Sequence, residues 1–535
     1  MPAVFRPPPH SRAPQLHAAA EKFFRATWEL APQDAAELGL RAYRRRLGPN
    51  TPGSHRRRIR LIEQTLPQIE ALPPGSGDDW TDRRAFLAYL RTGLFFHRDQ
   101  PRWELDPQTH SGTAVNAVFH LLVRHAEDLR AVAPDILSLL AEIPRFLDEG
   151  HACLRRPVPL WTKLAVRSST HAATFLEQTA AQIVPLVRSP ARAKRLFAGA
   201  ADAFRTYARR LEKIPTGPAN GFAVGRANFE FLLRERMGTD AAAAELLAEG
   251  RRLVDSVSAE LTREARKFGR RPAHETIERL RNEWQPSAGD LLTEYRNVTA
   301  QIKKHLGSAG LVGLPRGEKL KVIPVPDFLR EQFPTAAYSA PGPFDPDQTG
   351  IFWVNDLSKH ARNETGRRAE VAQHFGLELT CAHEAYPGHH LQFIVQNRHP
   401  SHLRRMFSHA IFYEGWTLWC EQLCIDKKIY RAPHARLIQL HDALWRAHRI
   451  LVDIGLHTGG MSHAAATRHM MENVGFTKAR AAADVNWYTA APTVPMSYLL
   501  GRQRVMALHA AHRGSLRQFN DRLLSHGAVP FDWFR

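Results

Sequence analysis

A mainly α-helical fold, with a small β-sheet set ahead of a histidine-bearing helix, is what three features of this sequence predict. Apolar stripes recur at helical spacing through most of the chain. Glycine and proline crowd into one interval, 307–350, and helical patterning then resumes around a dense histidine cluster. At 535 residues the chain exceeds what one hydrophobic core ordinarily serves, so two or more packed units are expected. Its 44% apolar and 24% charged residues are ordinary for a globular protein and set aside wholesale disorder.

Residues 1–14 combine scattered arginines with prolines and lack an apolar centre, so they read as a short disordered lead rather than a secretory signal. Residues 15–305 read as an N-terminal helical region. Leu16, Ala19, Phe23, Phe24 and Trp28 form the first stripe, and similar stripes cover Ile136–Leu147, Ala172–Val187 and Ala241–Leu261. Pro73, Pro74 and Gly75 punctuate them, and no fixed period supports a solenoid. Residues 306–535 form the second region and carry the chemistry. In it Leu320–Val325 and Ile351–Val354 read as strands, and Ile351–Val354 is a candidate for edge pairing with an extended peptide. Helices resume near Arg368 and run, with breaks, to about Ser525.

Charge and cysteine usage narrow the function classes. No run is long and apolar enough to suggest a membrane helix. The net charge of +20 raises the question of nucleic acid, yet the basic residues are spread along the chain. The densest runs, Arg44–Arg46 and Arg56–Arg58, have only Tyr43 as an aromatic neighbour, so solvated helix faces are the expectation. Cys153, Cys381, Cys420 and Cys424 are too few and too uneven for a disulfide framework, which implies reduced thiols and a cytoplasmic location.

The informative stretch is Leu377–Gln392, containing His383-Glu384, Pro387-Gly388 and His389-His390. A zincin helix carries His-Glu-x-x-His, because residues four apart share a face and both imidazoles reach one ion. Here Pro387 occupies the second histidine's position. In an unbroken helix His389 leaves the face of His383, and His390 lies about 10 Å along the axis at ~1.5 Å per residue. Pro387 kinks or breaks the helix. With Gly388 beside it, a local widening by two residues would carry His389 to the ligand position, a smaller insertion than His390 requires. Incidental histidines account for His374 and His402 but poorly for so compact a cluster.

A catalytic zinc takes three protein ligands and keeps one open position. The next helix, with Phe412, Trp416, Trp419 and Leu423 as its apolar stripe, offers Glu414 and Glu421. Carboxylates on so aromatic a helix are costly to bury unless paired or metal-bound. Glu414, nearer the histidines, is the expected ligand; Glu421 either orients a histidine or faces solvent. The cysteines lack the deaminase Pro-Cys-x-x-Cys pattern and suit small buried positions. Imidazole–carboxylate sites accept several first-row metals, and zinc is the expected one. With Glu384 as general base, the expected activity is metal-assisted hydrolysis of a peptide or a smaller amide. A metal-stabilised binding protein is the non-catalytic alternative.

His383 to Gln392 and Glu414 to Glu421 resemble the His-Glu-x-x-Pro-Gly-His-His-Leu-Gln and Glu-Gly-Trp-x-Leu-x-x-Glu patterns of a bacterial family, domain of unknown function 885. That family is grouped with gluzincin-like metallopeptidases. The likeness extends from Pro32–Leu47 to Phe519–Pro530. It implies a multi-helix zincin-like architecture, a zinc ion, a glutamate base and a downstream tyrosine or histidine for the oxyanion. Trp487-Tyr488, Pro492, Tyr498 and Gly501 are similar to a further family stretch, although Trp487 replaces its usual arginine and Pro492-Thr493-Val494-Pro495 its Pro-Gly-Gln-Ala. Tyr498 is the resulting oxyanion candidate, or else a packed core residue. Arg502 and Arg504 are either a clamp for a substrate carboxylate or surface arginines.

Overall fold

The computed structural model describes residues 5, 7–333 and 335–534, with the backbone alone at 331 and 332. The protein is mainly α, and one small sheet interrupts the helices where glycine and proline are dense. Many helices begin where short polar side chains precede them: Thr51, Asp290, Asn363, Ser401, Ser462, Thr477 and Ser515 each accept a backbone N–H of the helix they cap. Among the described residues no helix is long and apolar enough to cross a membrane.

The expected disordered lead falls partly outside the described residues, at 1–4 and 6. Two of its described residues are anchored. Phe5 stacks on Phe24 and Trp28 at 5.4 and 6.0 Å between ring centres, and the Ser11 hydroxyl donates to Asp79 at 2.6 Å. One buried aromatic outweighs the proline-rich, arginine-scattered character of its neighbours.

Three strands form the sheet: β1 (Lys319–Pro324), β2 (Ala336–Ser339) and β3 (Thr349–Val354), in the order β1-β3-β2. β3 runs parallel to β1 and antiparallel to β2. Its side chains divide between two cores. Phe352 and Val354 join one centred on Tyr295, Trp416 and Phe412, whereas Ile351 and Trp353 join another built from Leu140, Phe197 and Phe204. Burial on both faces explains why β3 reads as a continuous apolar run. It also corrects one expectation: Ile351–Val354 is the central strand, flanked on both sides, and cannot receive a peptide at its edge. The first of these cores draws on both sides of residue 305, from Phe95 to Phe531.

Two helices set the functional geometry. Ala410–Asp426 and Val494–Ala511 cross at a pair of glycines. A Cβ at Gly415 would stand 2.6 Å from the Gly501 Cα, and one at Gly501 would stand 2.2 Å from the Ile411 carbonyl oxygen. Only hydrogen at both positions permits this approach. The second helix starts after Thr493, whose φ is +71°. Buried Asp453 accepts the Thr493 and Met496 N–H groups at 3.2 and 3.3 Å, fixing the helix start and thereby Tyr498.

Candidate metal centre

The Leu377–Glu384 helix stops at the residue after His383, and a new helix, His389–Gln396, begins at His389. The chain therefore breaks rather than widening as the sequence suggested. Pro387 has no N–H to continue the ladder, and its own carbonyl accepts the Trp416 indole N–H at 2.9 Å. Gly388 folds back against the helix end so tightly that a Cβ there would meet the His383 carbonyl oxygen at 1.8 Å. This doubling-back brings the His383 and His389 rings to 5.0 Å, nearly perpendicular at 84°.

Glu414 completes the cluster. Ligand atoms of His383, His389 and Glu414 all lie within 4.8 Å of one another, and these three form the one such group of His, Cys, Asp or Glu found among the described residues. Glu414 Oε2 stands 3.5 Å from His383 Nε2 and 3.7 Å from His389 Nε2, beyond an ordinary hydrogen bond. Both Glu414 Oε2 and His389 Nδ1 are buried without a hydrogen-bond partner among the described residues. Such orphaned atoms are costly, and a divalent cation among the three side chains would relieve the carboxylate.

Electrostatics favour positive charge here. Burial alone would lower the His383 pKa, but the carboxylates of Glu414 and Glu421 facing its two nitrogens, with the nearby charge of Glu384, outweigh it and raise the pKa to about 10. His389 is pushed the other way, mainly by burial, and stays a neutral electron-pair donor. Burial opposes ionisation of Glu414, yet His383 and His389 hold its carboxyl below the usual range. The donor set of two imidazoles and one carboxylate, with an unpaired oxygen, fits zinc.

The carboxylate of Glu421 accepts the His383 Nδ1 proton at 2.8 Å and is only 4% exposed. It orients a histidine, resolving the two alternatives. Glu384 lines the adjoining cavity of about 760 Å³, and its Oε2 accepts the Tyr338 backbone N–H at 3.1 Å. Tyr498 points its hydroxyl at the Glu414 carboxyl. Burial, with the Glu414 charge beside it, keeps that phenol protonated. Tyr498 does not line the cavity.

His390 points away from this centre. Its Nε2 donates to Glu318 at 2.8 Å, and its Nδ1 accepts from the Tyr338 hydroxyl at 3.1 Å. Glu318 also accepts the Tyr386 hydroxyl at 2.5 Å and pairs with Lys303. Burial would raise the Glu318 pKa, but these donors lower it to about 2. The network ties β2 to the break between the histidine helices. Glu318 and Tyr338 carry no local signal in the sequence, because their partner is dozens of residues away.

Of the two roles open to Arg502 and Arg504, the carboxylate clamp is set aside. Arg502 is buried near Glu421, and Arg504 faces Glu249 at 4.0 Å. Neither lines the cavity, whose arginines are Arg281, Arg446 and Arg480. His374 is a core histidine hydrogen-bonded to the Tyr295 hydroxyl at 3.1 Å.

Fold and site together define a mainly helical protein with a His-His-Glu cluster beside a cavity. The chain belongs to the bacterial family of proteins of unknown function designated DUF885, whose pattern matches residues 32–535. No curated protein matches it. Two of the solved structures that share the fold are described as candidate lipoproteins. One is a candidate lipoprotein of unknown function from Shewanella oneidensis, 18% identical, with a TM-score of 0.77 over 97% of this chain and 98% of that one. The other is a candidate lipoprotein from Colwellia psychrerythraea, 17% identical, with a TM-score of 0.75 over the same shares.

Proposed function

We propose that this protein is a zinc-dependent metallopeptidase of the gluzincin type, with His383, His389 and Glu414 as ligands and Glu384 as general base. The observation that carries the reading is the convergence of those three ligand atoms within 4.8 Å. Glu384 stands next to the first of them in sequence, on the cavity wall.

Zinc, when bound, supplies Lewis acidity that polarises a carbonyl and acidifies water beside it. The remaining work falls to the chain. Glu421 fixes the His383 tautomer, leaving Nε2 for the ligand cluster. Tyr338 N–H holds Glu384 Oε2, which leaves Oε1 to take a proton from the attacking water and pass it to the leaving nitrogen. Tyr498 steadies Glu414; for it to serve the carbonyl oxygen, its hydroxyl must exchange Glu414 for substrate. Strand β2 is one of the two edge strands of the sheet. Ala336 lines the cavity beside Thr335, so an extended peptide pairing there would run past Glu384.

Glu421→Gln is expected to weaken zinc affinity by about 10–100-fold, because the His383 ring loses its charged anchor. Competition with a chromophoric chelator measures it; unchanged affinity would remove Glu421 from the account. The peptidase reading itself is tested by incubating zinc-loaded protein with di- to octapeptides and following new amines by mass spectrometry. Cleavage abolished by a chelator and restored by zinc is the expected result. Hydrolysis of simple amides with every peptide left intact would favour a non-peptide amide substrate instead. We place the protein in the cytoplasm, because all four cysteines are free, buried thiols.

A further inference from the structure

The cavity beside the metal centre has a basic wall, and what it binds deepens the peptidase reading on which this inference rests. Arg281, Arg446 and Arg480 line it from three separate helices, Ala273–Glu283, Ala435–Thr458 and Lys478–Ala490. Arg446 is only 8% exposed, and its Nε is buried with no hydrogen-bond partner among the described residues. Its Nη1 donates to the Asp442 carbonyl oxygen at 3.2 Å and lies 3.3 Å from that residue's carboxylate. Trp445 and Tyr498 stand against the guanidinium, their ring centres 4.7 and 5.9 Å from Cζ. Arg446 thus sits between the cavity and the residue that touches Glu414.

The acidic lining residues are already engaged. Glu384 is held by Tyr338, Glu421 by His383 and Asp442 by Arg446. Arg281 makes no ion pair among the described residues. Arg480 reaches Asp484, outside the lining, at 3.6 Å and lies over Phe476 and Trp445 at 4.9 and 5.1 Å. A desolvated guanidinium with an unmet N–H is expensive unless a ligand supplies the acceptor. Planar guanidinium groups match carboxylates in a two-pronged geometry.

We propose that this wall binds a carboxylate of the substrate, either its C-terminal carboxylate or an acidic side chain. Arg446 is the specificity-determining residue, and Arg281 and Arg480 draw the anion in. Arg446 packs on Tyr498, whose hydroxyl faces Glu414, so the bound carboxylate belongs to a residue near the scissile bond.

The test uses zinc-loaded Glu384→Gln protein, which binds without turning over, and three calorimetric probes: acetyl-Ala-Phe, its C-terminal amide, and acetyl-Ala-Asp amide. One of the two anionic probes is expected to bind at least about tenfold more tightly than the neutral amide, the effect of one charged hydrogen bond. Preference for acetyl-Ala-Phe assigns the C-terminal carboxylate; preference for acetyl-Ala-Asp amide assigns the side chain. Arg446→Gln should erase the preference with zinc content unchanged. The surface pair Arg281→Gln and Arg480→Gln should reduce it severalfold, and carries the test if Arg446→Gln fails to fold. No binding of any probe, equal binding of all three, or a preference surviving every arginine change would overturn the proposal. The peptidase reading is judged separately, by turnover in the wild type: intact peptides together with a retained anion preference would sink that reading and leave the carboxylate site standing.

Discussion

Glu384→Gln is expected to lower kcat by about 10²–10⁴-fold, the range of a positioned general base, while zinc content stays at the wild-type level. The substitution keeps the shape and the oxygen that accepts the Tyr338 N–H at 3.1 Å. What it removes is the capacity to take a proton. Glu384 is not among the three residues whose ligand atoms cluster, so the metal has no reason to leave. Steady-state kinetics and elemental analysis on the same preparation separate the outcomes. Undiminished function would favour a metal-stabilised binding protein, and loss of zinc along with activity would move Glu384 into the ligand set.

The second large effect is expected far from any charge. Gly501→Ala should destabilise the fold by about 1–3 kcal/mol, the cost of forcing atoms into a packed contact. The sign is the informative part. In an unconstrained helix interior the same change gains about 1 kcal/mol, because glycine is the poorer helix former. Here the new methyl would stand 2.2 Å from the Ile411 carbonyl oxygen, and backbone of a packed helix cannot swing aside. The two helices must part, which draws Tyr498 off Glu414. Urea denaturation gives the stability change, and a variant more stable than wild type would contradict the close approach.

Much of this was legible in the sequence, for identifiable reasons. Helices announce themselves through local period, and strands β1 and β3 through short apolar runs. His383, Glu384, His389 and Glu414 stand in two short motifs, so local spacing nominated them once Pro387 is read as disrupting the helix between the histidines. The manner of joining the histidines was less visible. Pro387 signalled disruption, but the fold-back at Gly388 depends on its contact with the helix end and on Trp416 reaching Pro387. Strand order was invisible, because pairing of β3 with both neighbours is a tertiary choice that the residues of Ile351–Val354 do not carry. The arginines of the cavity were invisible for a similar reason. Arg502 and Arg504 lie near Tyr498 in sequence, whereas Arg446 reaches the site from another helix and carries no motif.

Glu318 and Tyr338 show the same limit from the other side. Their hydrogen bonds explain why His390, adjacent to a candidate ligand, is occupied elsewhere. Only the folded arrangement reveals that one of two neighbouring histidines is already satisfied while the other has an unpartnered nitrogen.

The most direct test of the central claim is metal content, measured by elemental analysis on wild-type protein and on folded His383→Ala after zinc is supplied and free ion removed. About one zinc per chain in the wild type, lost in the variant, is the predicted result for a three-ligand site. A wild-type protein that retains no metal, or a variant that retains as much, would contradict it.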